Sequence, residues 1–169
     1  MILRLAGGVL VCLSCTLIGI YLSVRANERA KLLMEFRQSL ILLKSQIEYA
    51  AYPLPQAFKF ISLRLSQPLS GFYNELSEKL CVAQEDFTLL WHCNLDKLGC
   101  IEQEDIAVLN GLGAHLGNID TDLQLNAIQI AVNDLEITLT KLNEQNIKNT
   151  KLYRSLGIIS GLFITIILL

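Results

Sequence analysis

The sequence predicts an all-α protein: a helical bundle with two long antiparallel heptad helices, several short helices at the tip, and a membrane helix at each end. Three observations carry this. Apolar residues recur at alternating spacings of three and four near both ends of the middle region. Two further stretches are apolar without interruption. No stretch alternates apolar and polar as a half-buried strand does.

Residues 5–24 contain no charged side chain and are bracketed by Arg4 and Arg25. Twenty helical residues span about 30 Å, the thickness of a hydrocarbon core. Three other readings compete. A cleaved signal peptide needs a shorter apolar core and a small-residue cleavage site. A lipoprotein signal ending at Cys15 would place Cys12 where an aliphatic residue belongs. A buried core helix rarely has twenty apolar or small residues in a row. Within the span, Cys12 and Cys15 form a CxxC pair that reads as packing. Small residues also stand four apart in both apolar segments, Gly8 with Cys12, Cys15 with Gly19, and Gly157 with Gly161; the spacing either lets helix backbones approach closely or reflects how common glycine is in membrane helices.

Residues 25–51 form the first long helix, with Leu33, Phe36, Leu40, Leu43, Ile47 and Ala50 on one stripe. Tyr52, Pro53, Leu54 and Pro55 stop it, because proline disfavours a helical predecessor and donates no backbone hydrogen bond. A second helix starts at Pro55, with Ala57, Phe58, Ile61 and Leu65 inward. Pro68 to Gly71 is the next break, followed by Phe72, Leu76 and Leu80 at helical spacing. A helix over 86–98 turns Phe87, Leu90, Trp91 and Leu95 inward and ends at Gly99. Residues 103–116 form another around Ile106, Leu109 and Leu112. The last helix starts near Asp120, carries Leu125, Ile128, Val132, Leu135, Leu139 and Leu142, and runs on into the tail.

The tail, residues 156–169, is apolar but covers only about 21 Å, short of a full span. Positive residues set the orientation. Arg25, Arg29 and Lys31 follow the first segment; Lys148, Lys151 and Arg154 precede the second. Both clusters adjoin the middle region, so residues 25–155 stay cytosolic and both termini lie on the far side. Arg25, Lys148, Lys151, Tyr153 and Arg154 anchor the membrane junction, where anionic lipid attracts cations.

The 169 residues carry a net charge of −2, which implies no general affinity for nucleic acid. The charge is unevenly placed. Residues 25–64 sum to +4, residues 75–136 hold Lys79 and Lys97 against twelve acids, and residues 141–154 return to +3. The acidic middle is either a solvated surface or a docking surface for a basic partner, with Glu102, Glu104 and Asp105 the interface candidates. Tyr52, Pro53, Pro55, Gly113, Gly117 and Asp120 read as structural, shaping turns and helix starts.

The chemistry of the remaining motifs is thin. There is no P-loop, no HExxH and no zinc-finger spacing, so an ATPase is disfavoured and no cofactor is expected. Gly111 to Gly117 is glycine-rich but follows no strand. The five cysteines, an odd and irregular set, suit reduced thiols. The alternative function is a membrane-tethered or lipidated helical protein using Cys81, His92, Cys93 and Cys100 for a metal or a thiol. His115 reads as capped or solvated, and Trp91 as core.

Three segments together resemble a known family. They are Glu48 to Phe58 (EYAAYPLPQAF), Leu112-Gly113 with Leu116-Gly117-Asn118-Ile119-Asp120 and Gln124, and Lys148 to Gly157 (KNTKLYRSLG). The chain resembles stage III sporulation protein AB along nearly its whole length. The resemblance implies an inner-membrane component, in the mother cell, of the complex that links mother cell and forespore. It implies a cytosolic domain similar to type II secretion F platform domains, standing beside a secretion-type ATPase and other membrane subunits. It implies no catalytic or metal-binding residues. Self-association stays open.

Overall fold

The computed structural model describes residues 27–82, 86–99, 101–117 and 120–168. Among these residues every regular element is a helix. Helix α1 covers 27–48. It is followed by α2 (Leu54–Ser62), α3 (Leu69–Val82), α4 (Phe87–Leu95) with a 3-10 turn (Asp96–Leu98), α5 (Gln103–Leu116) and α6 (Thr121–Leu168). The chain divides into two compact units, Lys31–Leu139 on the one hand and Met1–Ala30 with Thr140–Leu169 on the other. In the second unit Asn146 Nδ2 lies 3.5 Å from Asn27 Oδ1.

In the Lys31–Leu139 unit the heptad stripes are buried: Leu33, Phe36, Leu40, Leu43 and Ile47 on α1, and Ile128, Val132 and Leu135 on α6. Their order is antiparallel. Arg37 pairs with Glu136 at 2.9 Å and Lys44 donates to Gln129 at 2.8 Å, so seven residues up α1 match seven down α6.

Helix α1 ends at residue 48, earlier than its apolar stripe suggests, and Ala50 is exposed. Ala51 takes a left-handed φ of 50°, and the Tyr52 N–H turns back to the Gln46 carbonyl at 3.2 Å. Pro53 then caps α2 with extended backbone, and its carbonyl takes the N–H groups of Gln56 and Ala57. Helix α2 therefore begins at Leu54, with Pro55 in the first turn, where its missing N–H costs nothing. The break expected over Pro68 to Gly71 lies earlier. Helix α3 is already under way at Leu69, and Gly71 sits in its first turn.

Six rings fill the centre of the unit: Phe36 from α1, Phe58 from α2, Phe72 and Tyr73 from α3, and Phe87 and Trp91 from α4. Neighbouring centroids stand 5.1–6.4 Å apart, mostly tilted or edge-on, as the ring quadrupoles favour. A hydroxyl contact is buried among them. Tyr73 Oη lies 2.7 Å from Ser39 Oγ, which itself donates to the Phe36 carbonyl at 2.6 Å. The serine proton is thus spent, and the tyrosine is the donor. Burial pushes the Tyr73 hydroxyl pKa well above the tyrosine range.

Among the described residues no helix is long and apolar enough to cross a membrane. The expected membrane segment at 5–24 lies outside the described residues, as do Arg25, Cys12 and Cys15. Residues 156–168 are helical as the end of α6.

Candidate partner-docking surface

The acidic middle of the chain folds into α4, the turn after it, and α5. Asp86 caps α4, its Oδ1 accepting the Thr88 N–H at 2.9 Å. Gly99, at a φ of 63°, closes the 3-10 turn in a conformation that glycine adopts without steric cost. Helix α5 then opens with a reciprocal cap. The Glu102 side chain takes the Asp105 N–H, and the Asp105 carboxylate takes the Glu102 N–H at 3.1 Å.

This cap separates the three acids expected to meet a partner. Glu102 and Glu104 are exposed. Asp105 is 2% exposed and committed to the helix start, so it presents nothing to a partner; it is a structural residue. The exposed acids from the start of α4 to the start of α6 are Asp86, Asp96, Glu102, Glu104, Asp120 and Asp122. His92 stands 3.4 Å from Asp96 on the same exposed side of α4.

Rigidity beneath the surface comes from Trp91, which is 1% exposed. Its Nε1–H donates to the Leu109 carbonyl of α5 at 2.8 Å. The approach needs a gap, and Gly113 supplies it. A Cβ there would stand 2.3 Å from Trp91 Cδ1. Gly113 thus shapes no turn; it lies inside α5 and admits the indole. The sequence signal that could have found it is a glycine inside an apolar helix, where it costs about 1 kcal/mol against alanine and needs a packing reason.

The joint between α5 and α6 explains the spacing of a second motif. A Cβ on Gly117 would lie 3.2 Å from the Phe87 ring. Asp120 Oδ1 takes the Asp122 N–H at 2.9 Å and caps α6. Gln124 reaches back, its Nε2 donating to the Leu116 carbonyl at 2.9 Å. That carbonyl is one of the last four of α5, which have no partner within their own helix.

A second polar group braces α3 against the 3-10 turn. Glu75 takes Lys79 at 2.8 Å and Lys97 at 2.6 Å, and Lys97 also donates to Asn94 Oδ1 at 3.0 Å. The hydrogen bonds from Lys79 and then Lys97 hold the Glu75 pKa below the carboxylate range.

The other sequence candidates are dispersed. Tyr52 is 44% exposed at the α1–α2 connection, and the Pro55 carbonyl accepts the Ser77 hydroxyl at 2.8 Å. Lys148, Lys151, Tyr153 and Arg154 lie on α6 in the unit of Met1–Ala30 and Thr140–Leu169. Cys81 and Cys93 are free and exposed, and Cys100 lies outside the described residues. Among the described residues no cluster of three or more His, Cys, Asp or Glu is placed to hold a metal.

A family model described as stage III sporulation protein AB matches residues 4–169. The chain belongs to that family. Stage III sporulation protein AB of Bacillus subtilis (strain 168) is 27% identical over 170 residues, covering 99% of both chains. A solved structure of stage III sporulation protein AB (SpoIIIAB) is similar with a TM-score of 0.65 and 25% identity, across 71% of this chain and 97% of that one. Stage III sporulation protein AB is a sporulation family and not a known family of enzymes.

Proposed function

We infer that this chain serves sporulation as a non-catalytic scaffold. It is an inner-membrane platform component of a secretion-like complex between mother cell and forespore. Its helical middle region, residues 25–155, stands in the cytosol and resembles type II secretion F domains. Residues 5–24 and 156–169 hold it at the membrane, with Arg25, Lys148, Lys151, Tyr153 and Arg154 at the junction. Its partners are membrane lipid, other membrane subunits and a secretion-type ATPase.

One observation supports this most. Three buried polar side chains beneath the α4–α5 surface are spent on internal bonds, Trp91 to Leu109, Asp105 to Glu102 and Gln124 to Leu116, while Asn110 Oδ1 of α5 is buried without a partner among the described residues. What remains outside is a rigid face with Glu102 and Glu104 exposed. Such a face favours recognition of a basic surface over bond-making, since fixed charge gives encounter rate and register.

The test uses sporulating cells carrying Glu104→Arg, which leaves the Glu102–Asp105 cap intact. Spore yield falls while protein level and thermal stability stay unchanged, and the ATPase no longer co-purifies. Unchanged yield and unchanged co-purification sink the docking role. The topology has its own test. Exposed Cys93 resists an impermeant maleimide until lysis; labelling from outside places this surface beyond the reach of any cytosolic partner.

A further inference from the structure

The turn between α2 and α3, residues 63–68, carries an apolar tip with a basic flank. Leu63 is 78% exposed, although Ile61 and Ser62 just before it are buried. Residues 49–74 hold no Asp or Glu, and their two charges are Lys59 and Arg64. Arg64 is exposed and makes no ion pair among the described residues. Its guanidinium carbon stands 4.1 Å from the centre of the Phe60 ring. Stacking lays the planar group on the ring and leaves its N–H edge free, the edge that meets phosphate.

Two contacts place this turn. Ser66 Oγ donates to Glu35 Oε2 at 2.8 Å, and Tyr73 of α3 meets Ser39 of α1 at 2.7 Å. Helix α2 therefore runs back along α1, and the turn lies beside the early part of α1. Glu35 is the acid beside it, with exposed Lys31 one helical turn earlier to offset that charge. Lys59 and Arg64 are left to set the sign. Residues 5–24 lead into α1 at this same end. From residue 27 to Glu35 is about 12 Å of helix. Headgroups extend several ångströms beyond the hydrocarbon, and membrane helices tilt by about 20° on average. Long side chains on the turn thus come within reach of the lipid surface.

We propose that the α2–α3 turn rests on the bilayer, with Arg64 against the phosphates of anionic lipid and Leu63 among the headgroups. The proposal rests on the reading of residues 5–24 as a membrane segment. Interfacial segments bind by buried apolar area together with attraction to anionic lipid, and this turn offers both. The contact fixes the lean of α1 over the bilayer. It is separate from the Glu102 and Glu104 face.

The test uses the full chain with Leu63→Trp in nanodiscs containing phosphatidylglycerol, with and without bromine on the acyl chains. The wild-type chain, which emits from Trp91 alone, is measured in parallel and subtracted. Most of the added emission is lost in brominated discs. The loss shrinks about twofold or more in phosphatidylcholine discs, and likewise when Arg64→Glu is added. Helix content confirms that each variant is folded. Added emission that bromine leaves intact, in a chain held by the discs, overturns the proposal and gives the turn to solvent or to a protein partner. Equal loss in phosphatidylcholine discs overturns the assignment to anionic lipid. A chain that stays out of the discs overturns the membrane reading of residues 5–24, and the proposal falls with it.

Discussion

Trp91 fills one particular gap between α4 and α5, whereas the seam of α1 and α6 repeats similar aliphatic side chains at heptad spacing. In the first region a single glycine and a single carbonyl decide the fit. In the second, buried leucines and isoleucines share the load, and the polar contacts at the edge are exposed. The first region is specified by shape and the second by pattern. Pattern tolerates volume-conserving exchange, and shape does not.

The sharpest break of this comparison is Trp91→Ala. It removes the largest buried side chain and costs about 3–5 kcal/mol, measured by denaturant unfolding. Gly113→Ala attacks the same joint from the other side. The added methyl collides with the indole and costs about 1–3 kcal/mol. Alanine is the better helix former at an exposed site, so a stabilised variant would show that α5 can move away from Trp91. Asp105→Ala opens the start of α5, and the lost buried cap costs about 1–2 kcal/mol.

Tyr73→Phe sharpens the contrast through pH. The folded state holds this hydroxyl neutral, so its pKa is raised on folding. The stability it contributes is complete below the unfolded pKa, about 10, and is lost as the pH rises above it. The variant declines less steeply in alkali, and identical slopes in wild type and variant would show that Tyr73 ionises freely. Smallest of all is Arg37→Ala at the exposed edge, where the ion pair with Glu136 is worth below about 1 kcal/mol. A larger loss would mean that the α1–α6 edge contributes more than its pattern implies.

The same contrast decides what the sequence could reveal. Helices α1 and α6 were legible because a three-four spacing reports burial directly, and the break at Tyr52 to Pro55 because proline constrains backbone. Gly99 was legible for a similar reason, a left-handed φ that favours glycine. The six-ring cluster was not, because rings from four helices meet only once the chain has folded. Gly113 reads as a turn residue only if its place inside the helix predicted over 103–116 is overlooked; a glycine there needs a packing reason, and the ring that supplies the reason belongs to another helix. Of the candidate site, acidity was legible, but an acid at N3 of a helix looks like any other until its exposure is known. Glu104 faces solvent, and Asp105 beside it does not.

The chain contains one tryptophan, and it stands in the joint between α4 and α5. Its fluorescence is therefore an unmixed signal. The light comes from one indole, out of water and with its N–H engaged, so emission is blue-shifted and slow to quench by acrylamide. Loosening of α5 from α4 reddens it, while changes on the outer face of α6 leave it untouched. One native chromophore thus reports, without any label, on the joint beneath the acidic face.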